Sequence, residues 1–196
     1  MITGVILAGG KSTRMGTDKA LVELDGTPLA THVAGTLRSF LTTVVLVGRE
    51  SPIGDLDVLP DRNSGIAGPL RGLATALDCV KASSVLLVAV DQPFMSADTL
   101  RRLASLASPD RAVVPVADGY RQVTTALYPT SWAREAAQEA DLQGSIQTLL
   151  DRMPHRTVGP NEWQSWGEDG RSWFSVDTPQ ALDDGIKLYG AAARDE

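Results

Sequence analysis

Cysteine is almost absent: Cys79 stands alone in 196 residues, so no internal disulfide can form. Histidine is nearly as scarce, with His32 and His155 far apart, and no Cys/His group has the spacing of a metal site. Positive charge is in short supply, since 18 Lys+Arg against 24 Asp+Glu leave a net charge of -6. That balance argues against non-specific binding to nucleic acid or anionic membranes, which depends on clustered cations. A ligand carrying phosphates must therefore meet a local basic site. Long apolar runs are missing as well: the longest, Val85 to Val90, falls far short of the roughly 20 residues that span a bilayer. Met1 leads straight into Ile2-Thr3-Gly4-Val5-Ile6-Leu7 without the cationic leader of an export signal. The expectation is a cytoplasmic protein with one free thiol and with neither nucleic acid nor membrane as partner.

What is present fits a globular domain: 43% of residues are apolar, 21% are charged, and glycine and proline number 18 and 11. A chain of this length buries roughly 70% of the surface its unfolded form exposes, so it needs no staple. Apolar runs recur at Val5-Ile6-Leu7, Val44 to Val47, Val85 to Val90 and Val113 to Val116. They are continuous rather than alternating, the mark of strands covered by helices on both faces, as in parallel sheets. Helix signals fall between them. Thr27-Pro28 offers an N-cap and a first-turn proline for a helix to about Ser39, Pro69 opens one to Val80, and Ser96 caps one from Ala97 to Leu106. Ser131 to Glu139 and Thr178-Pro179 to Tyr189 carry similar signals. The alternation predicts an α/β, three-layer doubly wound fold with a mostly parallel sheet, as one domain over 1–190 followed by a tail at 191–196. The polar stretch Pro160 to Ser172 reads as an exposed loop.

Ligands of open parallel sheets gather beyond the carboxyl ends of the strands, so the segment after Leu7 carries most interest. It reads Leu7-Ala8-Gly9-Gly10-Lys11-Ser12-Thr13-Arg14-Met15-Gly16-Thr17-Asp18-Lys19. Adjacent glycines let backbone approach a phosphate or base, and successive N–H groups can form an anion nest. Arg14 and Lys19 supply positive charge, the one as a fork and the other as a point. The nucleoside-triphosphatase pattern fails by one residue, because Val5 stands where its first glycine belongs. The dinucleotide pattern fails too, because Gly9 and Gly10 are adjacent. Taken alone, the segment is also compatible with a tight turn bearing solvated charges.

The pattern Leu7-Ala8-Gly9-Gly10-x-Ser12-x-Arg14-Met15-Gly16-x-Asp18-Lys19 resembles the signature loop of the molybdenum cofactor guanylyltransferases, within the wider nucleotidyltransferase family. Further matches follow in order: Asp61, Gly68-Pro69-Leu70-x-Gly72, Asp91-Gln92-Pro93-Phe94 and Thr178-Pro179. The resemblance implies transfer of GMP from GTP to the phosphate of molybdopterin or its molybdenum form, releasing pyrophosphate, with Mg²⁺ as cofactor. It implies a nucleotide site built from Leu7, Ala8, Gly9, Gly10, Lys19, Asp61, Gly68 and Asp91, and a catalytic set of Arg14, Lys19 and Asp91. Molybdopterin-handling or molybdoenzyme maturation proteins are the partners it suggests. A cytidylyltransferase, or a transferase for another phosphorylated metabolite, is the nearest alternative. A nucleotide-binding regulator without turnover is the alternative of another class.

Nucleotidyl transfer needs cations at the phosphates and a carboxylate for the metal. Asp91 directly follows the run Val85 to Val90, and Pro93 keeps the strand from continuing, which puts the carboxylate at a carboxyl edge. An ordinary strand-end turn has the same sequence appearance. Asp61 follows the strand-like Asp57-Val58-Leu59. Asp177 stands where guanylyltransferases commonly carry Asn, as a second metal ligand or as an acidic start to the last helix. Gly9 favours guanine by resemblance, because cytidylyltransferases usually carry Ala there. Arg121, Thr124, Thr125 and Tyr128 are candidates for acceptor contact, with an exposed strand-end arginine the commoner case. Trp163, Trp166 and Trp173 are expected to pack a loop onto its own domain rather than stack on a pterin.

Overall fold

A computed structural model of the chain describes residues 1–9, 18–59 and 68–190. Strand β1 (Ile2–Leu7) leads toward a 3₁₀ turn at Lys19–Leu21, followed by a two-residue ribbon of β2 (Glu23–Leu24) and β3 (Thr27–Pro28). Next come α1 (Leu29–Arg38), β4 (Val44–Val47), α2 (Pro69–Cys79), β5 (Ser84–Ala89) and α3 (Ala97–Ser105). The second half holds β6 (Ala112–Ala117), β7 (Tyr120–Arg121), β8 (Ala126–Pro129), α4 (Ala133–Asp141) and α5 (Ile146–Arg152). It ends with β9 (His155–Val158), α6 (Pro160–Gln164) and α7 (Pro179–Tyr189).

The strands join in the order β4-β1-β5-β8-β6-β7, with β9 also paired to β6. Strands β4, β1 and β5 run parallel, with Val5 opposite Val45 on one side and Leu87 on the other. Strand β8 runs against both β5 and β6, so the four apolar runs predicted as strands share one direction while β8 intervenes in the other. Side chains alternate across the sheet. Ile6, Leu46, Leu86 and Val88 face a core completed by Leu29, Val33 and Leu37 of α1 and by Leu100 and Leu103 of α3. Val5, Val47, Val85 and Leu87 face a second core with Leu73 and Leu77 of α2 and Ala136 and Ala140 of α4. Two cores on opposite faces of one sheet make the predicted three layers, and each fully buried Leu or Val contributes about 1.5–3 kcal/mol.

Three local expectations need correction. Thr27 and Pro28 do not open α1: they form the returning arm of the β2–β3 ribbon, and the helix starts at Leu29 with no side-chain cap. The ribbon turns at Asp25 and Gly26, whose φ values of 51° and 73° give the left-handed geometry of a tight hairpin. Pro160 to Ser172 is not an exposed loop. It contains α6, and it buries Trp163 and Glu168. Trp163 and Trp173 meet edge to face at 6.2 Å and the Trp163 indole N–H donates to the Val116 carbonyl at 2.9 Å, so these rings pack the segment inward as expected. Tyr128, finally, is fully buried and its hydroxyl donates to the Val123 carbonyl at 2.7 Å, which removes it from any acceptor contact. Burial pushes its phenol far above the ordinary pKa.

The remaining helix signals hold closely. Ser96 accepts from the Thr99 N–H at the start of α3, Thr178 accepts from the Ala181 N–H at the start of α7, and Pro69 stands in the first turn of α2. Among the described residues, no helix is long and apolar enough to cross a membrane.

Candidate active site

The carboxyl ends of β1, β4 and β5 meet at one edge. The Ala8 N–H donates to the Val47 carbonyl at 3.0 Å, and the Val90 N–H to the Leu7 carbonyl at 3.2 Å, which extends the pairing just past the strands. Beyond it Gly9 lies against Gly48 so tightly that a Cβ on Gly9 would sit 2.1 Å from the Gly48 carbonyl oxygen. Gly48 itself has φ 81°, a conformation that side chains disfavour. The two glycines thus fit each other. Gly72 does similar service for α2, since a Cβ there would lie 2.6 Å from Leu7 Cδ2.

Asp91 emerges two residues after β5, where Gln92 N–H turns back toward the Ala89 carbonyl. The Asp91 carbonyl accepts from the Val176 N–H at 2.7 Å, so the segment before α7 is docked beside the β5 edge and carries Asp177 with it. Lys19 reaches both acids: its Nζ donates to Asp91 Oδ2 at 3.2 Å and to Asp177 Oδ1. The Lys19 and Asp91 side chains are about one-fifth and one-quarter exposed, and that of Asp177 one-half. Desolvation pulls the Lys19 pKa down, but the hydrogen bond to Asp177 and the charge of Asp91 outweigh it and hold the amine above its ordinary value. Lys19 is an ammonium bridging two carboxylates.

The turn that presents Lys19 is braced from below. Asp18 accepts from the Ala20 N–H at 3.0 Å, and its other oxygen pairs with Arg49 at 3.2 Å. Arg49 went unnoticed in the sequence, although it follows the β4 run at the ligand-bearing edge, where a cation has meaning. A second brace is Gln92, part of the Asp91-Gln92-Pro93-Phe94 match but without a role from sequence, which is buried and takes the Thr125 hydroxyl on its side-chain oxygen. A third is Glu168, whose carboxylate accepts from the Gly170 N–H at 2.8 Å and from the Ser172 N–H at 3.1 Å. The Ser172 hydroxyl in turn accepts from the Ser96 N–H at 2.9 Å, five residues beyond Asp91.

Gly68 precedes α2 with φ 143° and lines a cavity of about 340 Å³ shared with Arg71, Val123, Thr124 and Gln147. Thr124 is the chain neighbour of Thr125, whose hydroxyl bonds to Gln92, the residue after Asp91. Arg121 is tied to Asp151 at 2.7 Å and anchors β7 to α5. His32 and His155 bond to backbone carbonyls within their own neighbourhoods, at 2.7 Å and 3.1 Å. Gly10, Arg14 and Asp61 lie outside the described residues. Among the described residues no group of three or more His, Cys, Asp or Glu side chains converges. Asp91 and Asp177 are a pair of hard oxygen donors, which fits a Mg²⁺ that takes one or two carboxylates and completes its shell with phosphate and water.

Comparison with known proteins follows the same lines. Residues 4–157 match the MobA-like NTP transferase domain. A probable molybdenum cofactor guanylyltransferase of Natronomonas pharaonis is 33% identical over 92% of this chain and 95% of its own. The molybdenum cofactor guanylyltransferase of Burkholderia vietnamiensis is 36% identical over 92% and 93%. In three dimensions, the molybdopterin-guanine dinucleotide biosynthesis protein A of Archaeoglobus fulgidus superposes with a TM-score of 0.84 at 23% identity, over 97% of this chain and all of its own. The 2-C-methyl-D-erythritol 4-phosphate cytidylyltransferase of Thermus thermophilus does so at 0.69 and 20%, over 97% and 100%. With a glycine-rich edge, a bridged Lys–Asp–Asp cluster and relatives aligned over nearly their full length, the chain belongs to the MobA-like NTP transferase family.

Proposed function

We propose that the protein transfers GMP from GTP to the phosphate of molybdopterin or its molybdenum form, giving the guanine dinucleotide cofactor and pyrophosphate. The observation that carries this reading is the meeting of Lys19, Asp91 and Asp177 at the carboxyl edge of β1 and β5, in a chain whose relatives bear that activity in their names. An acceptor phosphate oxygen attacks the α-phosphorus, a new P–O bond forms, and the bond to the pyrophosphate oxygen breaks in line. The acceptor oxygen is already ionised near neutral pH, so no side chain has to remove a proton. The chain's work is to position and to neutralise.

Lys19, with Arg14 and the backbone of Gly9 and Gly10, holds the triphosphate beyond the Leu7–Ala8 edge; Asp61 and Gly68 hold the nucleoside. Asp91 and Asp177 hold Mg²⁺, which when bound supplies charge neutralisation at the α-phosphate and the leaving group. A cytoplasmic location, where GTP is at hand, goes with this reading.

The preference for guanine draws its support from the relatives rather than from Gly9, because the contact with the Gly48 backbone already demands glycine there whatever the base. Asp177 favours the cytidylyltransferase alternative, being the acid where Asn is usual among guanylyltransferases. The test is pyrophosphate release with molybdopterin as acceptor and GTP, CTP or ATP as donor, with and without Mg²⁺. The expected result is turnover with GTP and Mg²⁺ alone. Turnover with CTP would replace the base assignment, and nucleotide binding without pyrophosphate release would replace the enzyme by a regulator.

A further inference from the structure

Lys19 has more partners than a phosphate-binding lysine requires. Its ammonium lies between Asp91 and Asp177, bonded to an oxygen of each, and these are the two carboxylates that the preceding reading gives to a divalent cation. Nζ itself occupies the position of a cation between them. A divalent ion using both acids would stand within a few ångströms of Nζ, where like charges repel strongly in a partly desolvated cluster. Mg²⁺ also gives up its water reluctantly, so a tethered ammonium already bonded to both oxygens competes well.

We infer that Lys19 is an internal counter-ion that holds the two-carboxylate cation position closed, and that a triphosphate opens it by drawing the ammonium away. The surroundings support this division of labour. Asp18, the residue before Lys19, is pinned at both oxygens, by the Ala20 N–H at 3.0 Å and by Arg49 at 3.2 Å. The backbone that carries Lys19 is therefore fixed, while the long side chain swings on its four-carbon stem. Asp91 is fixed in its turn through the Val176 N–H on its carbonyl. When phosphate oxygens take Nζ, both acids lose their partner together, and their net charge changes from partly compensated to fully anionic. Divalent cation and triphosphate then bind with positive coupling, each raising the affinity of the other. Free cation at ordinary concentrations leaves the acids to Lys19, and the site loads only with a nucleotide in place.

This inference rests on the assignment of Asp91 and Asp177 to the metal, and a titration without nucleotide examines it apart from turnover. Mn²⁺ binding is read from the loss of the free-ion electron paramagnetic resonance signal, for the wild type, Lys19→Met, Lys19→Gln and the double variant Lys19→Met with Asp91→Asn. Circular dichroism and melting temperature verify the fold of each. Both single variants are expected to bind Mn²⁺ about tenfold more tightly than the wild type, and the double variant to lose that gain. Equal affinity in the wild type and the single variants, weaker affinity in both, or no measurable binding by any of them overturns the inference. So does a gain that survives Asp91→Asn. A failure of the guanylyltransferase reading looks different, since it appears in nucleotide selectivity and pyrophosphate release while the Mn²⁺ series stands.

Discussion

The two halves of the sheet solve different problems. In one, β4, β1 and β5 run the same way, so their carboxyl ends lie side by side and bring Ala8, Gly48 and Asp91 to a common edge. In the other, β8 runs backward between β5 and β6, and the corresponding edge is made of loops: the turn at Asp118-Gly119 and the segment from Gln122 to Thr125. A parallel arrangement gathers chain ends and with them charge. A mixed arrangement alternates ends with turns and supplies walls and braces, as Thr124 does for the cavity and Thr125 for Gln92. Chemistry and support are thus divided between the halves, with Gln92 and Thr125 joining them.

Substitutions can break that division in graded steps. The largest effect belongs to the parallel half: Asp91→Asn is expected to lower pyrophosphate release by about 10²-fold or more while the melting temperature stays within a few degrees of wild type. Retained turnover would show that the edge does not carry the chemistry. Gly9→Ala comes next, because its Cβ meets backbone rather than a yielding side chain. It should cost about 1–3 kcal/mol in denaturant unfolding and weaken nucleotide binding as the edge shifts. Thr125→Val sharpens the comparison at the joint. It leaves the buried Gln92 amide without its hydroxyl partner, and an about tenfold fall in kcat/KM with a loss of about 1–3 kcal/mol in stability is expected. A loss confined to stability would return Gln92 to a purely structural role. Tyr128→Phe, deep in the mixed half, should cost about 1 kcal/mol by removing the bond to the Val123 carbonyl and leave turnover unchanged. Were turnover to fall with it, the mixed half would be more than a support.

The parallel half is also the more legible one, for a physical reason. Strands covered on both faces must be apolar throughout, so Val44 to Val47 and Val85 to Val90 announce themselves, and the residues just after them inherit the carboxyl edge. Asp91 and Lys19 could be picked from that rule and the loop pattern. Strand β8 has four residues ending in Pro129, too short for periodicity to separate it from a loop, and its partner direction is set by tertiary packing. The two hairpins carry a legible signal: Asp25-Gly26 and Asp118-Gly119 are both dipeptides that favour left-handed turns, and all four residues have positive φ. The 160–172 segment misled through its polarity. Glu168 is buried because backbone N–H groups and Ser172 satisfy its carboxylate, and composition cannot show that. The docking of Asp177 beside Asp91 depends on contacts between distant segments, the Val176–Asp91 backbone bond and the burial of Val176 among them, which no local pattern encodes.

The bond between Lys19 and Asp177 joins residues 158 positions apart. At the pace of protein synthesis Lys19 waits roughly 8–30 s for its second acid to be added, while both cores above and below the sheet are already gathering most of their side chains. The nascent chain can thus acquire its hydrophobic interior before it acquires its full charge cluster. Release of the C-terminal helix from the ribosome is what completes the cluster, and a chain interrupted ahead of Val176 would lack the acid that bridges to Lys19 together with Val176 and the α7 side chains packed on the first core.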